Sequence, residues 1–117
     1  MKRVLIVDDA AFMRQMLKKT LEKNGFEVIG EAENGLKAVE MYKKLKPDIV
    51  TMDITMPESD GVEALSEIMK YDSNAKVVMM SAMGQAPKIK EAVLLGAKGF
   101  IIKPFKEEPF IKIISRL

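Results

Sequence analysis

Cysteine and histidine are both absent from this chain of 117 residues. Without cysteine there is neither a disulfide framework nor a thiolate metal site. Without histidine there is no Ser-His-Asp or Cys-His nucleophile system and no imidazole ligand. No apolar run approaches the roughly eighteen residues that a membrane-spanning helix needs, and Met1-Lys2-Arg3 runs into a strand-like segment without the apolar core of a signal peptide. The charge balance carries no footprint for nucleic acid either, because 19 basic and 17 acidic residues are interleaved for a net charge of +2. No linker, low-complexity tract or sequence repeat interrupts the chain. What remains is an ordinary globular composition, 48% apolar and 31% charged, expected to form one cytoplasmic domain over residues 1–117. Any chemistry must run on carboxylates, hydroxyls and lysine.

What is present is a rhythm. Val4 to Val7 is a continuous apolar run of strand length, the pattern of a strand buried on both faces. Phe12, Met13, Met16, Leu17, Thr20 and Leu21 then recur at helical spacing, and Asn24-Gly25 stops the helix. Phe26–Ala32 reads as a second strand. Asn34-Gly35 turns into a helix carrying Leu36, Ala38, Val39, Tyr42 and Leu45, with Pro47 beyond its end. Ile49–Met52 is a third strand, followed by a loop with Asp53, Pro57 and Gly61 and a helix over Val62–Tyr71, with Leu65, Ile68 and Met69 inward. Lys76–Met80, a helix over Pro87–Leu95 stopped by Gly96, Phe100–Ile102 and a last helix to Leu117 complete the series. Five strands alternating with five helices predict an α/β doubly wound fold with a parallel sheet.

In such a sheet ligands bind beyond the carboxyl ends of the strands. Asp8 and Asp9 follow the first strand, Asp53 the third, Ser81 the fourth and Lys103 the fifth, all at one edge. Neighbouring strands lie about 4.8 Å apart, so these five residues are predicted to share one pocket. Three carboxylates so close repel one another unless a cation is present. Mg²⁺ prefers oxygen ligands and commonly joins one or two carboxylates to a phosphate. Lysine and a hydroxyl suit phosphate oxygens, and a carboxylate can itself be the nucleophile that forms an aspartyl phosphate. Singly, each residue has a plainer reading: Asp8-Asp9 as a helix cap, Asp53 as turn chemistry, Lys103 as a surface charge. The set of five favours phosphoryl transfer to an aspartate.

The motifs V-D-D-A at Val7–Ala10, M-D-I-T-M-P at Met52–Pro57, S-A at Ser81-Ala82 and K-P-F at Lys103–Phe105 stand in order on the predicted strand ends. In these the chain resembles, over essentially its whole length, the receiver domain of two-component response regulators, most closely the single-domain chemotaxis regulators. The resemblance implies a flavodoxin-like (βα)5 fold of strand order 2-1-3-4-5. It implies that Asp53 is the phosphoacceptor and that Ser81 and Lys103 serve the phosphoryl group. Mg²⁺ would be bound by Asp9, Asp53 and the backbone carbonyl of Thr55, and by Asp8 mostly through water. It also implies a cis Lys103–Pro104 bond and a switch formed by Ser81 and Phe100, the latter lacking the hydroxyl of the tyrosine often found there. Thr55 and Met83, each two residues past a site residue, would tune hydrolysis, with apolar Met83 shielding the acyl phosphate.

The partners so implied are a chemotaxis-type histidine kinase, an output protein such as the flagellar motor switch, and a phosphatase; the expected form is a monomer, not a turnover enzyme. Other readings stay open: a phosphorelay intermediate, a receiver domain of a larger regulator or methylesterase, and a Mg²⁺-dependent phosphatase with an aspartyl nucleophile. The last lacks its usual acid/base, because Thr55 stands two residues past Asp53. Nucleotide or flavin binding is disfavoured by Asp8-Asp9-Ala10-Ala11 where a glycine-rich loop would be needed. Of the ten methionines, Met13, Met16, Met52, Met69, Met79 and Met80 are expected in the core and Met56 and Met83 in loops at the site edge. Around the fourth helix and fifth strand, Phe100 and Ile89 are expected to be exposed and Ile102, Val93 and Phe105 to share the packing.

Overall fold

Each of the apolar runs divides its side chains between two cores, which is why the runs are continuous and not alternating. In the computed structural model, which describes residues 1–56 and 59–117, Leu5 and Val7 of β1 (Arg3–Val7) pack into one cluster and Val4 and Ile6 into another. The same division holds in β3 (Ile49–Asp53) and β6 (Val77–Ser81), whose residues are all buried. With β2 (Glu27–Ala32) and β7 (Gly99–Ile102) these strands form one parallel sheet in the order β2-β1-β3-β6-β7. Counting the sheet strands alone, that is the expected 2-1-3-4-5.

The helices cover both faces. Leu17 and Leu21 of α1 (Ala11–Lys23) and Phe110 and Ile114 of α5 (Glu107–Ser115) fill one cluster. Ala38 and Tyr42 of α2 (Gly35–Leu45), Leu65 and Ile68 of α3 (Gly61–Tyr71) and Ala92 of α4 (Ala86–Leu95) fill the other. The local signals act as written: the Asn34 side chain accepts from the Lys37 N–H at 2.8 Å to cap α2, and Gly96 closes α4 at φ +113°, a conformation that favours glycine.

Five expectations need correction. Val93 and Ile102, expected to share the packing, are 50% and 40% exposed; Val93 lies one position round α4 from the buried Ala92, and Ile102 alternates with the buried Ile101 on β7. Phe12 and Met16 are 65% and 48% exposed; they lie one position round from the Met13–Leu17 stripe, and the sheet can bury only one such stripe. Leu36, in the first turn of α2, is 71% exposed. Met56 is not at an open site edge but is buried in the larger core. It belongs to a short antiparallel ribbon, β4 (Thr55–Met56) with β5 (Ser59–Asp60), that strands of two residues are too short to announce by periodicity. Ile89 is half-buried against the same core, not exposed, because it shares the inward face of α4 with Ala92. Pro57, the expected turn residue of this loop, lies outside the described residues.

Among the described residues, one buried side-chain polar group has no compensation: Thr51, in the middle of β3, holds its hydroxyl without a hydrogen-bond partner. A buried hydroxyl left unpaired costs about 1–3 kcal/mol, and valine has nearly the same shape. Thr51→Val is expected to raise stability by about 1 kcal/mol, read as a higher urea midpoint at unchanged slope. A lower midpoint would show that the hydroxyl is satisfied after all.

Candidate functional site

Register brings the polar residues together. Val7 of β1 lies opposite Met52, so Asp8 and Asp53 follow side by side. Asp53 lies opposite Met80, so Ser81 comes next on β6, and Ser81 lies opposite Ile102, so Lys103 comes next after β7. The backbone continues this alignment past the sheet: Ile54 N–H donates to the Met80 carbonyl at 3.0 Å and Lys103 N–H to the Ser81 carbonyl at 2.6 Å. The Lys103–Pro104 peptide is cis.

Asp8, Asp9 and Asp53 offer carboxylate oxygens that all lie within 4.8 Å of one another. Asp8 and Asp53 are buried and Asp9 is exposed. Lys103 reaches between the two buried acids, its Nζ at 2.8 Å from Asp8 Oδ2 and 3.2 Å from Asp53 Oδ1. Asp8 does not cap α1, whose N-cap Ala10 has no side-chain cap. It turns back instead, accepting the Ala10 N–H on Oδ1 at 2.9 Å, while Arg14 donates to its backbone carbonyl at 2.7 Å.

The electrostatics show a pocket short of positive charge. Burial pushes the Asp53 carboxyl up to about 6; Lys103 opposes this, and the Asp8 charge adds to it. Burial works against the Lys103 ammonium, but its hydrogen bond to Asp8 and the charges of Asp53 and Asp8 hold its pKa above the ordinary lysine value. One ammonium among three carboxylates leaves an excess of hard oxygen donors, and that donor set fits a small divalent cation such as Mg²⁺.

Two expected residues stand apart. Met83 is 82% exposed and Phe100 44%, so in this structure neither side chain is buried at the pocket. Two other residues are close to it: Gly61, which the sequence suggests only as a turn residue, and Gln85, which it does not single out. Gly61 lies against the backbone of Asp53: a Cβ built on it would sit 2.0 Å from the Asp53 carbonyl oxygen. Gln85 accepts the Ala82 N–H at 2.7 Å and the Ser81 hydroxyl at 3.0 Å, and its amide donates to the Thr55 hydroxyl. A glycine after a turn and a glutamine at a helix start are too common to be signals, so only the geometry identifies them.

The profile of the response regulator receiver domain matches residues 4–115 of this chain. The chain is 60% identical over 116 residues to the chemotaxis protein CheY of Thermotoga maritima, covering 99% of this chain and 97% of that protein. It is 57% identical to CheY of Bacillus subtilis, with 97% and 95% covered. Among solved structures it is similar to a chain of the CheX–CheY–BeF3–Mg²⁺ complex from Borrelia burgdorferi, at a TM-score of 0.94 and 41% identity, covering 98% of this chain and 87% of that one.

Proposed function

This chain belongs to the response regulator receiver domain family, and we propose that, as one receiver unit over residues 1–117, it is a switch driven by phosphorylation of Asp53 in chemotaxis signalling. The observation that carries this reading is Lys103, whose ammonium spans the buried carboxylates of Asp8 and Asp53. Sequence identity to CheY proteins over nearly the whole chain supports the chemotaxis setting.

An Asp53 carboxylate oxygen forms the new bond to phosphorus as the P–N bond of a kinase phosphohistidine breaks and the departing imidazole takes up a proton from solvent. Asp8, Asp9, Asp53 and the Thr55 carbonyl would hold Mg²⁺, which when bound neutralises charge on the phosphoryl oxygens. Lys103 follows the charge from carboxylate to phosphoryl oxygen, which requires it to loosen its hold on Asp8. Ser81 donates a hydrogen bond from its hydroxyl to another of those oxygens. Phe100 then turns inward, and the two-state surface around it changes. That surface has the apolar character of a docking face: Val93, Leu94 and Leu95 of α4 and Phe100 and Ile102 of β7 are all exposed. An output protein such as the flagellar motor switch fits there, with a chemotaxis-type histidine kinase as donor and a phosphatase as the opposing partner.

The test is incubation with acetyl phosphate, with and without Mg²⁺, followed by intact-mass measurement of wild type and Asp53→Asn. A single added phosphoryl group that needs both Mg²⁺ and Asp53 is expected; uptake by the variant would overturn the reading. Between the two residues assigned to hydrolysis tuning, Thr55 is the better placed, since its hydroxyl is tied to Gln85 while Met83 stands in solvent. Thr55→Ala is therefore expected to change the lifetime of the phosphorylated form several-fold, and Met83→Ala to leave it within about twofold, the scale of an exposed substitution. The reverse order, measured by loss of label, would return the shielding role to Met83.

A further inference from the structure

A single side chain, Gln85, ties together groups at or just past the ends of β3 and β6, the two neighbouring strands that end at Asp53 and Ser81. It stands at the N-terminal boundary of α4 but makes no side-chain cap to that helix. Its Oε1 takes the Ala82 N–H at 2.7 Å and the Ser81 hydroxyl at 3.0 Å, and its Nε2 donates to the Thr55 hydroxyl on the other side. The amide cannot be turned over in place, because its nitrogen would then face the Ala82 N–H, donor against donor.

Ser81 is fully buried, and its one hydroxyl proton has two acceptors within reach, Gln85 Oε1 and the Ala82 carbonyl at 2.9 Å. The Ser81 O–H and the Ala82 N–H are the donors immediately beyond Met80, the neighbour of Asp53 across the sheet. Both converge on one oxygen atom of Gln85. An anion held on Asp53 can recruit the Ala82 N–H only after that oxygen gives it up, and the Ser81 O–H only after it leaves Gln85 and the Ala82 carbonyl.

The geometry points to Gln85 as a latch on the unmodified protein: a positioning residue that occupies both donors, and Thr55 with them, until an oxyanion on Asp53 displaces it. The inference rests on the reading of Asp53 as phosphoacceptor. Displacement also releases the start of α4, the helix that carries Val93 and Leu94 outward. A second tie on the same helix, Lys88 to the α3-capping Asp60 at 2.5 Å, is independent of the anion and would stay in place as a pivot. The latch therefore connects the occupancy of the pocket to the position of the exposed face.

The probe is beryllofluoride with Mg²⁺, titrated into wild type, Asp53→Asn, Gln85→Ala and Gln85→Met by calorimetry, with the Ala82 amide followed by ¹H–¹⁵N NMR. Both Gln85 variants are expected to bind the anion about tenfold more tightly, the scale of one net hydrogen bond no longer broken on binding. Their free-state Ala82 resonance should already be shifted from that of the free wild type, and the thermal midpoint of the ion-free variants should be lower by roughly 4–8 °C, because the bond lost there is the one no longer broken on binding. Adding Ser81→Ala should remove part of the gain, because the two residues act through one bond. Anion binding that is lost in Asp53→Asn but unchanged or weaker in both Gln85 variants would overturn the latch alone. Wild type that binds no anion, or binds it equally without Asp53, would overturn the phosphoacceptor reading and the latch together.

Discussion

Asp53→Asn is expected to abolish Mg²⁺-dependent phosphoryl uptake and, in the same molecule, to stabilise the ion-free protein above about pH 6. The first effect follows from chemistry. The side-chain amide has nearly the shape of the carboxylate but carries no anionic oxygen to bond phosphorus, so uptake should fall below detection. The second follows from the titration of Asp53, whose carboxyl is pushed up to about 6, chiefly by burial. A carboxyl raised above its unfolded value binds more protons in the folded state between about pH 4 and pH 6, so stability falls as pH rises through that window. The penalty is complete above about pH 6 and vanishes near pH 4. Asparagine carries no such penalty. After allowance for solvent screening and for the lost attraction to Lys103, the gain at pH 7 is about 1 kcal/mol. Thermal unfolding in EDTA at several pH values reads it: the two proteins should converge toward pH 4, and a gap that stays constant with pH would show that burial of the Asp53 charge is not its source.

Gly61→Ala is expected to be the most damaging small substitution near the site. The added methyl would sit 2.0 Å from the Asp53 carbonyl oxygen and 2.9 Å from Ile54 Cα. Both are backbone atoms, so no flexible side chain can swing away to make room. The Gly61 N–H also donates to the Ile54 carbonyl at 2.7 Å, which fixes the close approach. Relief must come from moving the start of α3 or the end of β3, and overpacking of this kind costs about 3 kcal/mol. For a domain of this size that is a fall in Tm of roughly 10–15 °C. Where the variant still folds, moving the β3 end displaces Asp53 from Lys103, so phosphoryl uptake should drop as well. A Tm within about 3 °C of wild type would show that the loop has slack the geometry does not reveal.

Both expectations turn on contacts of different legibility. Asp53 could be singled out in the sequence because it ends a continuous apolar run and four other polar residues end or follow similar runs. Gly61 could not, since a glycine near a proline-containing loop reads as ordinary turn chemistry. The same contrast holds for α1. Its helical period is plain from Met13, Leu17 and Leu21, but Phe12 and Met16 repeat with the same period one step round the helix. Only the sheet decides which stripe is covered, and it leaves Phe12 and Met16 exposed. Gln85 carries no pattern at all; its importance comes from three partners, one of them 30 residues away.

Local patterning of the chain sufficed for the βα alternation, the parallel sheet and the edge at which chemistry can occur, because runs of apolar residues and the polar groups that end them are local properties. The composition determined also that this chemistry is of carboxylates, hydroxyl and lysine, by lacking the alternatives. The sharing of Lys103 between Asp8 and Asp53, the seating of Gly61 on the Asp53 backbone and the hold of Gln85 on Ser81 and Ala82 emerge only in the folded chain. Lys103 and Asp8 are 95 residues apart. Whether such groups meet at 2.8 Å or pass each other depends on strand register and crossover geometry, which no local pattern encodes.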